Sequence, residues 1–411
     1  MGRFLDVFLH SQRVGLLEQD DSGSLWFGYT RDWLAAPDAV PLSVSLPLRE
    51  ERFNRAACRP FFAGLLPEEL QRHLIARSLA VSEGNDFALL DKIGGECAGA
   101  VTFLPSGSAA PEPRAWEFQP LAPEELEARI AELPKRPLLA GQAGLRLSLA
   151  GAQCKLALAL RQNGYALPLH GAPSSHILKP QSPHFENLVE NELLCMELAA
   201  AVGLHTAKVR LGKAGQTAFL EIQRYDRIAK PDGDLERLHQ EDFCQALAIP
   251  PERKYQQEGG PSLRQCFDLI RTHSSAPALD ILQLVDAAFF NCLIGNGDAH
   301  GKNFSLLYQN RQIRLAPLYD LVCTQAYPQL DPSYAMKIGK ERHPGKIRTT
   351  DFHEFIREAG LNERAAFRRM AALLKKTAQA ISAWPVLPVQ EPVVGCIRRN
   401  MGWLSRCLPS S

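Results

Sequence analysis

The 411-residue sequence predicts an α+β protein: a small N-terminal α+β domain, then a larger two-lobed domain whose second lobe is mainly helical. Three observations carry this. The first hundred residues alternate apolar and polar positions like strands, broken by a helix-like stretch. Between Leu145 and Arg227 a small-residue turn, a strand, an apolar helix and a further strand follow one another. Beyond Gln240 the apolar residues recur mostly at helical spacing.

Taken in order, Leu5, Val7 and Leu9 share one face of a strand, and Val14–Leu17 with Leu25–Tyr29 form a hairpin around Asp20-Asp-Ser-Gly23. Leu42, Val44 and Leu46 alternate again. Phe61-Phe-Ala-Gly-Leu-Leu-Pro67 follows, with a helix opened by that proline from Glu68 to about Ala80. Phe87–Leu90 and Gly99–Phe103 complete the first domain, residues 1–106. Pro105–Pro113 is too rich in Pro, Ser and Gly for an element and marks the boundary. Residues 107–139 are then a linker with one acidic helix, Pro123 to Leu133, stopped by Pro134.

Residues 140–228 form the next lobe. Arg146–Leu158 is a small-residue turn between strand-like flanks, where Ser148, Gly151 and Ala152 let backbone come close to a bound group. His176–Pro180 is a short strand with Lys179 among apolar neighbours. Glu186–Val202 is a helix closed by Gly203, and Thr217–Ile222 is a strand running into Gln223-Arg-Tyr-Asp-Arg227. Residues 229–411 are the helical lobe: Gln240–Leu247, Ser262–His273, Ala278–Cys292 and Glu363–Ile381 read as helices, the last with Phe367, Met370, Leu374 and Ile381 on its buried face. Pro250–Pro261 reads as a mobile loop, and Arg311–Leu315 pairs with Phe304–Tyr308 as a hairpin leading to Asp320.

Composition excludes several classes. With 45% hydrophobic and 22% charged residues and net charge +1, the chain is not built to coat nucleic acid. Residues 337–376 carry eleven Lys/Arg against five Asp/Glu, which fits a solvated face. The ten cysteines show no Cys-x-x-Cys and read as reduced thiols rather than disulfides or zinc ligands. No signal peptide and no membrane span are expected, so the expected setting is the cytoplasm.

One stretch stands out. At Asn291–Ser305 an apolar helix end breaks into Gly-Asn-Gly-Asp-Ala-His-Gly-Lys-Asn and resumes as a strand. A polar knot between hydrophobic elements is where a scaffold displays chemistry. Asp298 and Asn303 have the spacing Asp-x-x-x-x-Asn that protein kinases use for a catalytic aspartate and a magnesium-binding asparagine. Phosphoryl transfer needs a carboxylate near the attacking hydroxyl, metal ligands, a cation on the non-transferring phosphates and a covering loop. Asp298 is the candidate carboxylate, Asn303 and Asp320 the metal ligands, and Lys179 the cation with Glu192 as its ion-pair partner. Ser148–Lys155 is the covering loop.

Each has a plainer reading. Asp-x-x-x-x-Asn often marks a capped loop. Lys179 fits a snorkelling surface lysine, Glu192 a solvated helix residue, and Asp320 the cap of a helix starting at Leu321. The loop lacks a Walker pattern, and His300 and Lys302 either touch phosphate or face water. The order of the five signals is what favours a bilobal protein-kinase-like domain.

At this level of detail the chain resembles the HipA family of bacterial serine/threonine kinases, the toxin halves of toxin–antitoxin pairs. The resemblance rests on Phe61–Pro67, Gly94–Phe103, Ser148–Lys155, Glu190-Asn-Glu192, Gln223–Arg227, Glu241-Asp-Phe-Cys-Gln245, Asn296–Asn303 and Leu318-Tyr-Asp320. It implies Asp298 as catalytic base, Asn303 and Asp320 on Mg2+, and ATP contacts from Ala150, Gly151, Ala152, Gln153, Lys155, Lys179, His300, Lys302 and Tyr319. Gln223 and Tyr225 would offer backbone to adenine. It further implies autophosphorylation of Ser148, which expels the loop and silences the enzyme, because a dianionic phosphate could not stay beside those of ATP. The implied substrate is an aminoacyl-tRNA synthetase, with growth arrest or persistence as the outcome. The implied partner is a helix-turn-helix antitoxin, through which alone DNA is reached. Gly297 departs from the more polar residues of the family's loop. Two other readings compete: a phosphotransferase acting on a small molecule, and an inactive pseudokinase serving as antitoxin-bound co-repressor.

Overall fold

The structure, a computed structural model, describes residues 2–109, 116–162, 164–230 and 234–409. By its contacts the chain divides into two compact units: Met1–Pro180 with Gly212–Pro251 and Leu307–Asn310, and Gln181–Leu211 with Glu252–Leu306 and Arg311–Ser411.

The first unit begins with β1 (Arg3–Leu9), β2 (Gln12–Gln19) and β3 (Leu25–Tyr29), the last two forming the expected hairpin. Helices α1 (Arg31–Ala35), α2 (Arg55–Gly64), α3 (Glu69–Ser78) and α4 (Asp86–Ile93) follow, then β4 (Val101–Pro105), giving an antiparallel sheet of order β3-β2-β1-β4. Helix α2 was not anticipated, because Phe61-Phe-Ala-Gly-Leu-Leu66 is apolar without period. Asn54 caps it, accepting from Ala57 N, and it buries Phe61 and Phe62 in the core, Phe62 against Phe27 and Phe103. Pro67 lies outside the next helix, whose N-cap is Glu68. Leu42, Val44 and Leu46, expected in a strand, sit in a turn closed by a Ser43–Leu46 bridge. The Tyr29 hydroxyl fixes that turn, donating to Leu46 O at 2.6 Å and accepting Leu42 N–H at 2.9 Å. The expected linker Pro105–Pro113 lies outside the described residues from position 110 onward.

Next come β5 (Glu117–Pro120), α5 (Pro123–Glu132), β6 (Leu156–Arg161), β7 (Gly164–Leu169) and β8 (His176–Pro180). Helix α6 (Leu188–Ala201) belongs to the second unit and is followed by β9 (Val209–Ala214) and β10 (Thr217–Gln223). The sheet runs β5-β7-β6-β8-β10-β9. Short strands β11 (Arg227–Ala229), β12 (Leu235–Arg237) and β13 (His239–Asp242) lead to a four-residue helix, α7 (Phe243–Ala246). The helix expected over Gln240–Leu247 is therefore mostly absent. Asp242 and Gln245 form a capping box that starts α7 at Phe243, and the residues before it are taken by β13.

The second unit is chiefly helical. Ser262 caps α8 (Leu263–His273), and α9 (Pro277–Ile294) follows. Helix α9 is long and apolar enough to cross a membrane by length and composition, yet 72% of it is buried inside the protein. Its acidic residues are tied down, Asp280 to Arg314 at 2.8 Å and Asp286 to Arg369 at 2.5 Å. The hairpin β14 (Ser305–Gln309) and β15 (Gln312–Leu315) forms as expected, then α10 (Thr349–Ala359), α11 (Glu363–Ala383) and α12 (Glu391–Cys407). On α11 it is Leu373, not Leu374, that is fully buried with Phe367, Met370 and Ile381. The stretch expected as a mobile loop is built from two 3-10 turns, Pro251–Arg253 and Gln256–Glu258, with Pro251 and Lys254 buried.

Candidate active site

The candidate residues fall into two groups, one in each unit. In the second unit α9 ends at Gly295, whose φ of +70° only glycine adopts freely. A Cβ there would also meet Gln325 and Asn400 within 2.8 Å. The chain then turns on Asn296, buried at 1% exposure, whose amide donates to Asn291 Oδ1 and accepts Asp298 N–H, both at 3.0 Å. Gly297 donates its N–H to Thr324 Oγ1 at 2.7 Å, and a Cβ on it would lie 2.8 Å from Ser333 O. Its departure from a polar residue thus has a steric reason.

This scaffold presents Asp298 with its side chain 53% exposed. Oδ1 accepts the Tyr255 hydroxyl at 2.5 Å and lies 3.9 Å from His300 Nε2. His300 begins a 3-10 turn, Gly301–Asn303, and its N–H donates to Asn303 Oδ1 at 3.2 Å. Asn303 Nδ2 donates to Asp320 Oδ2 at 3.5 Å, so the two candidate metal ligands meet. Asp320 is in the left-handed region at φ +53°, an uncommon and strained conformation for a residue other than glycine. It caps no helix, since the next helical turn starts at Thr324 after Cys323. Tyr319 braces the turn, its hydroxyl donating to Lys302 O at 2.8 Å and bonding Ser305 Oγ at 2.7 Å. His300 and Lys302 are buried, so neither is a loop residue facing water. Glu192 is buried too, at 1% exposure on α6, which rules out the solvated-helix reading.

In the first unit Ser148 is fully buried. Its Oγ donates to Leu65 O and its N–H to Glu96 O, both at 2.8 Å. Gly151, at φ +104°, pairs with Pro67, and Lys155 Nζ folds back onto Ala150 O at 2.5 Å. Ala150, Ala152 and Gln153 are half-buried beside them. The loop therefore rests against residues 65–68. Lys179 is 5% exposed in β8 opposite Leu220 of β10, so it is no surface lysine. Gln223 ends β10 exposed, and the Tyr225 hydroxyl donates to Gln240.

Between Gln223 and Tyr225 the chain is anchored by buried charge. Arg224 Nη1 and Arg227 Nη2 reach Glu96 Oε1 at 3.1 and 2.5 Å, and Arg224 Nη2 reaches Asp226 Oδ2 at 2.8 Å. Gly99 N–H donates to Asp226 Oδ2 at 2.7 Å. Burial alone would raise the Glu96 carboxyl, but Arg224, Arg227 and Arg237 outweigh it and hold it below the usual range. Asp226 is likewise held low by Arg224 and Arg227 against its burial. A second fastening joins Gln245, which donates to Phe61 O at 2.8 Å and accepts Ser45 Oγ on its carbonyl at 2.8 Å. Sequence motifs at 61–67, 94–103, 223–227 and 241–245 thus meet one another as fasteners within one unit.

Comparison with known proteins gives these motifs a common origin. The model described as HipA-like C-terminal domain matches residues 147–384, and that described as HipA N-terminal domain matches residues 5–104. The chain belongs to the HipA family. It is 48% identical over 386 residues to the "Putative kinase Y4mE" of Sinorhizobium fredii, covering 92% of this chain and 91% of that protein. It is 31% identical over 390 residues to the serine/threonine-protein kinase toxin HipA of Shewanella oneidensis, covering 92% and 88%. A chain of the solved Shewanella oneidensis complex of HipA, HipB and operator DNA superposes with a TM-score of 0.83 at 29% identity, covering 98% of this chain and 96% of that one. The α+β fold and the family expected from the motifs are both borne out.

Sequence reading missed three polar residues that shape the site: Asn191, Asn296 and Tyr255. Asn191 and Asn296 stood inside quoted motifs without a role. Tyr255 lay in the stretch taken for a loop.

Proposed function

We propose that this HipA-family chain is a Mg-ATP-dependent serine/threonine protein kinase and the toxin of a toxin–antitoxin pair. The observation that carries the reading is the meeting of Asn303 with Asp320 at the foot of a loop that leaves the Asp298 carboxylate half exposed. Mg2+ is a hard cation that takes oxygen ligands and commonly binds through one or two carboxylates plus substrate phosphates. One amide and one carboxylate suit that habit once the Asn303 amide, which here meets Asp320 through Nδ2 while Oδ1 accepts His300 N–H, turns its oxygen to the metal. Among the described residues there is no cluster of three His, Cys, Asp or Glu, so a cage made of such side chains is not on offer.

In this reading Asp298 accepts the proton of the attacking hydroxyl, while Asn303 Oδ1 and the Asp320 carboxylate would hold Mg2+. Lys179, His300 and Lys302 would bind phosphate oxygens, Glu192 would orient Lys179, and the backbone at Gln223 and Tyr225 would hold adenine. Ala150–Gln153 and Lys155 would cover the phosphates, with Tyr319 bracing the Lys302 carbonyl. Mg-ATP supplies the transferable phosphoryl group and neutralises its charge; the chain's part is positioning. Ser148 is proposed as a site of autophosphorylation. The relatives support a protein acceptor, which we take to be an aminoacyl-tRNA synthetase, with growth arrest or persistence as the result. A helix-turn-helix antitoxin is the proposed partner, DNA being reached through it, in the cytoplasm.

Radiolabelled Mg-ATP added to a cell extract with the purified protein should label one dominant acceptor. Asp298→Ala should abolish that label while ATP binding persists. Transfer that survives Asp298→Ala overturns the mechanism.

A further inference from the structure

Tyr255 sits where no motif assigned a role. Its ring lies edge-on to His300, with centroids 5.1 Å apart and planes at 83°. The turn that carries it is closed by Gly260, whose N–H donates to Tyr255 O at 2.9 Å, and by Glu258 N–H on the same carbonyl at 2.9 Å. A Cβ on Gly260 would lie 2.4 Å from Arg253 O and 2.6 Å from Lys254 O, so the close approach needs glycine. Gln256 N–H on Ala335 O, at 3.2 Å, and Lys337 N–H on Gln256 Oε1, at 2.8 Å, pin the next residue. The tyrosine is therefore carried by fixed backbone.

Its hydroxyl donates to Asp298 Oδ1 at 2.5 Å. Asp298 Oδ2, by contrast, accepts no hydrogen bond from any described residue, and the side chain is 53% exposed. A carboxylate has two oxygens, and a general base needs one of them aimed at the proton it takes. An exposed aspartate with neither oxygen held would rotate about its side-chain torsions, and near-attack geometry would be populated only part of the time.

We infer that Tyr255 is a positioning residue for phosphoryl transfer, gripping Asp298 by Oδ1 so that Oδ2 is presented to the acceptor hydroxyl. The inference rests on the kinase reading above, in which Asp298 is the base. Tyr255 touches neither the acceptor nor the nucleotide in this role. Its loss should lower the rate of transfer without altering nucleotide affinity.

The test is Tyr255→Phe, which deletes the hydroxyl and keeps the ring against His300. Steady-state transfer to the labelled acceptor, and ATP affinity by direct binding, are measured on the full chain beside wild type. The expected result is a kcat lower by roughly ten- to a hundredfold, the range of a hydrogen bond to a charged group, with ATP affinity unchanged. An unchanged kcat in the variant, with active wild type, overturns the Tyr255 inference alone. A higher kcat or a lower KM for the acceptor would mean that the hydroxyl blocks the site, and also overturns it. Parallel loss of ATP binding would reveal a merely structural role and overturn it as well. Inactive wild type under the same conditions overturns the kinase reading and this inference with it.

Discussion

Asn191 holds the backbone of Cys323 by both edges of its amide: Nδ2 donates to Cys323 O at 3.0 Å and Oδ1 accepts Cys323 N–H at 2.9 Å. Asn191 is a buried residue of α6, and Cys323 stands three positions after Asp320. The amide thus fixes the exit of the segment that carries a candidate metal ligand in a strained conformation. Asn191→Leu should unpair two buried backbone groups and destabilise the fold by about 1–3 kcal/mol for each. Asp320 should be less well placed, so the Mg2+ concentration giving half-maximal transfer should rise severalfold. A magnesium titration at saturating ATP checks this; an unchanged midpoint would separate Asn191 from the metal site.

The buried set of Glu96, Arg224, Asp226 and Arg227 makes a different prediction. Removing one partner of such a set leaves a buried charge without its counterion, at a cost of about 3–5 kcal/mol. Glu96→Gln should therefore lower the urea midpoint strongly. Replacing Glu96 and Arg227 together by Gln and Met removes both charges, and the double variant should lose less than the sum of the two single losses. Strict additivity would show that the residues act independently. Because Glu96 is held below its usual range when folded, its contribution is present above its unfolded value and fades as pH falls through the folded one. Acid should therefore weaken wild type in a way that Glu96→Gln lacks.

The strand β13 carries two groups whose titrations oppose each other. Burial pushes the Glu241 carboxyl up to about 7, although the Ser43 and Tyr308 hydroxyls and Val44 N–H donate to it. Burial pulls the His239 imidazole down to about 4, against its bond to Leu42 O. A raised acid stabilises the fold below its unfolded value near 4.5, and that contribution is lost as pH climbs through 7. A depressed histidine stabilises above 6.5, and its contribution is lost as pH falls towards 4. Between pH 4.5 and 6.5 the two slopes have opposite sign and partly cancel. In Glu241→Gln only the histidine slope remains, so stability should climb with pH more steeply than in wild type, by at most about 1.4 kcal/mol per unit. Denaturation midpoints at half-unit steps would show it; parallel wild-type and variant profiles would refute the assignment.

These residues also mark what the sequence could and could not disclose. Helices α8 and α11 were legible because their apolar residues keep a helical period, α6 and α9 because their apolar runs are longer than a strand's, and β8 and β10 as short apolar runs. Asp298, Asn303 and Asp320 stood out as candidates through spacing and order. The burial of Lys179 and Glu192 was not, since a single charge in an apolar element reads equally well as snorkelling or solvated. Helix α2 was hidden because its second half, Pro60–Gly64, is buried throughout and shows no period, and because that half opens on Pro60, which argues against a helix interior. Asn191 and Tyr255 were beyond reach for another reason: each acts through hydrogen bonds across a long chain separation, 132 and 43 residues, which no local pattern encodes. Strand β13 was misread because its pairing partner lies far along the chain.

Ser148 poses the last prediction. Its hydroxyl is engaged with Leu65 O, its N–H with Glu96 O, and no part of it reaches solvent. A phosphoryl group on that oxygen would bring a charge of about −1.5 to −2 to a fully buried position whose hydrogen-bond partner, Leu65 O, is itself an acceptor and cannot donate to it. The modified serine cannot keep this place, so phosphorylation should release the segment from residues 65–68. If Ser148 is the site of autophosphorylation, incubation with Mg-ATP should put one phosphate on it by mass spectrometry. The peptide around 148–155 should then become open to proteases that spare the untreated protein. Ser148→Ala should block both changes while leaving Leu65 O unpaired, at a cost of about 1–3 kcal/mol. Phosphate found on Ser148 with an unchanged cleavage pattern would mean that the pocket adapts around it, and that release of the loop is not how the modification acts.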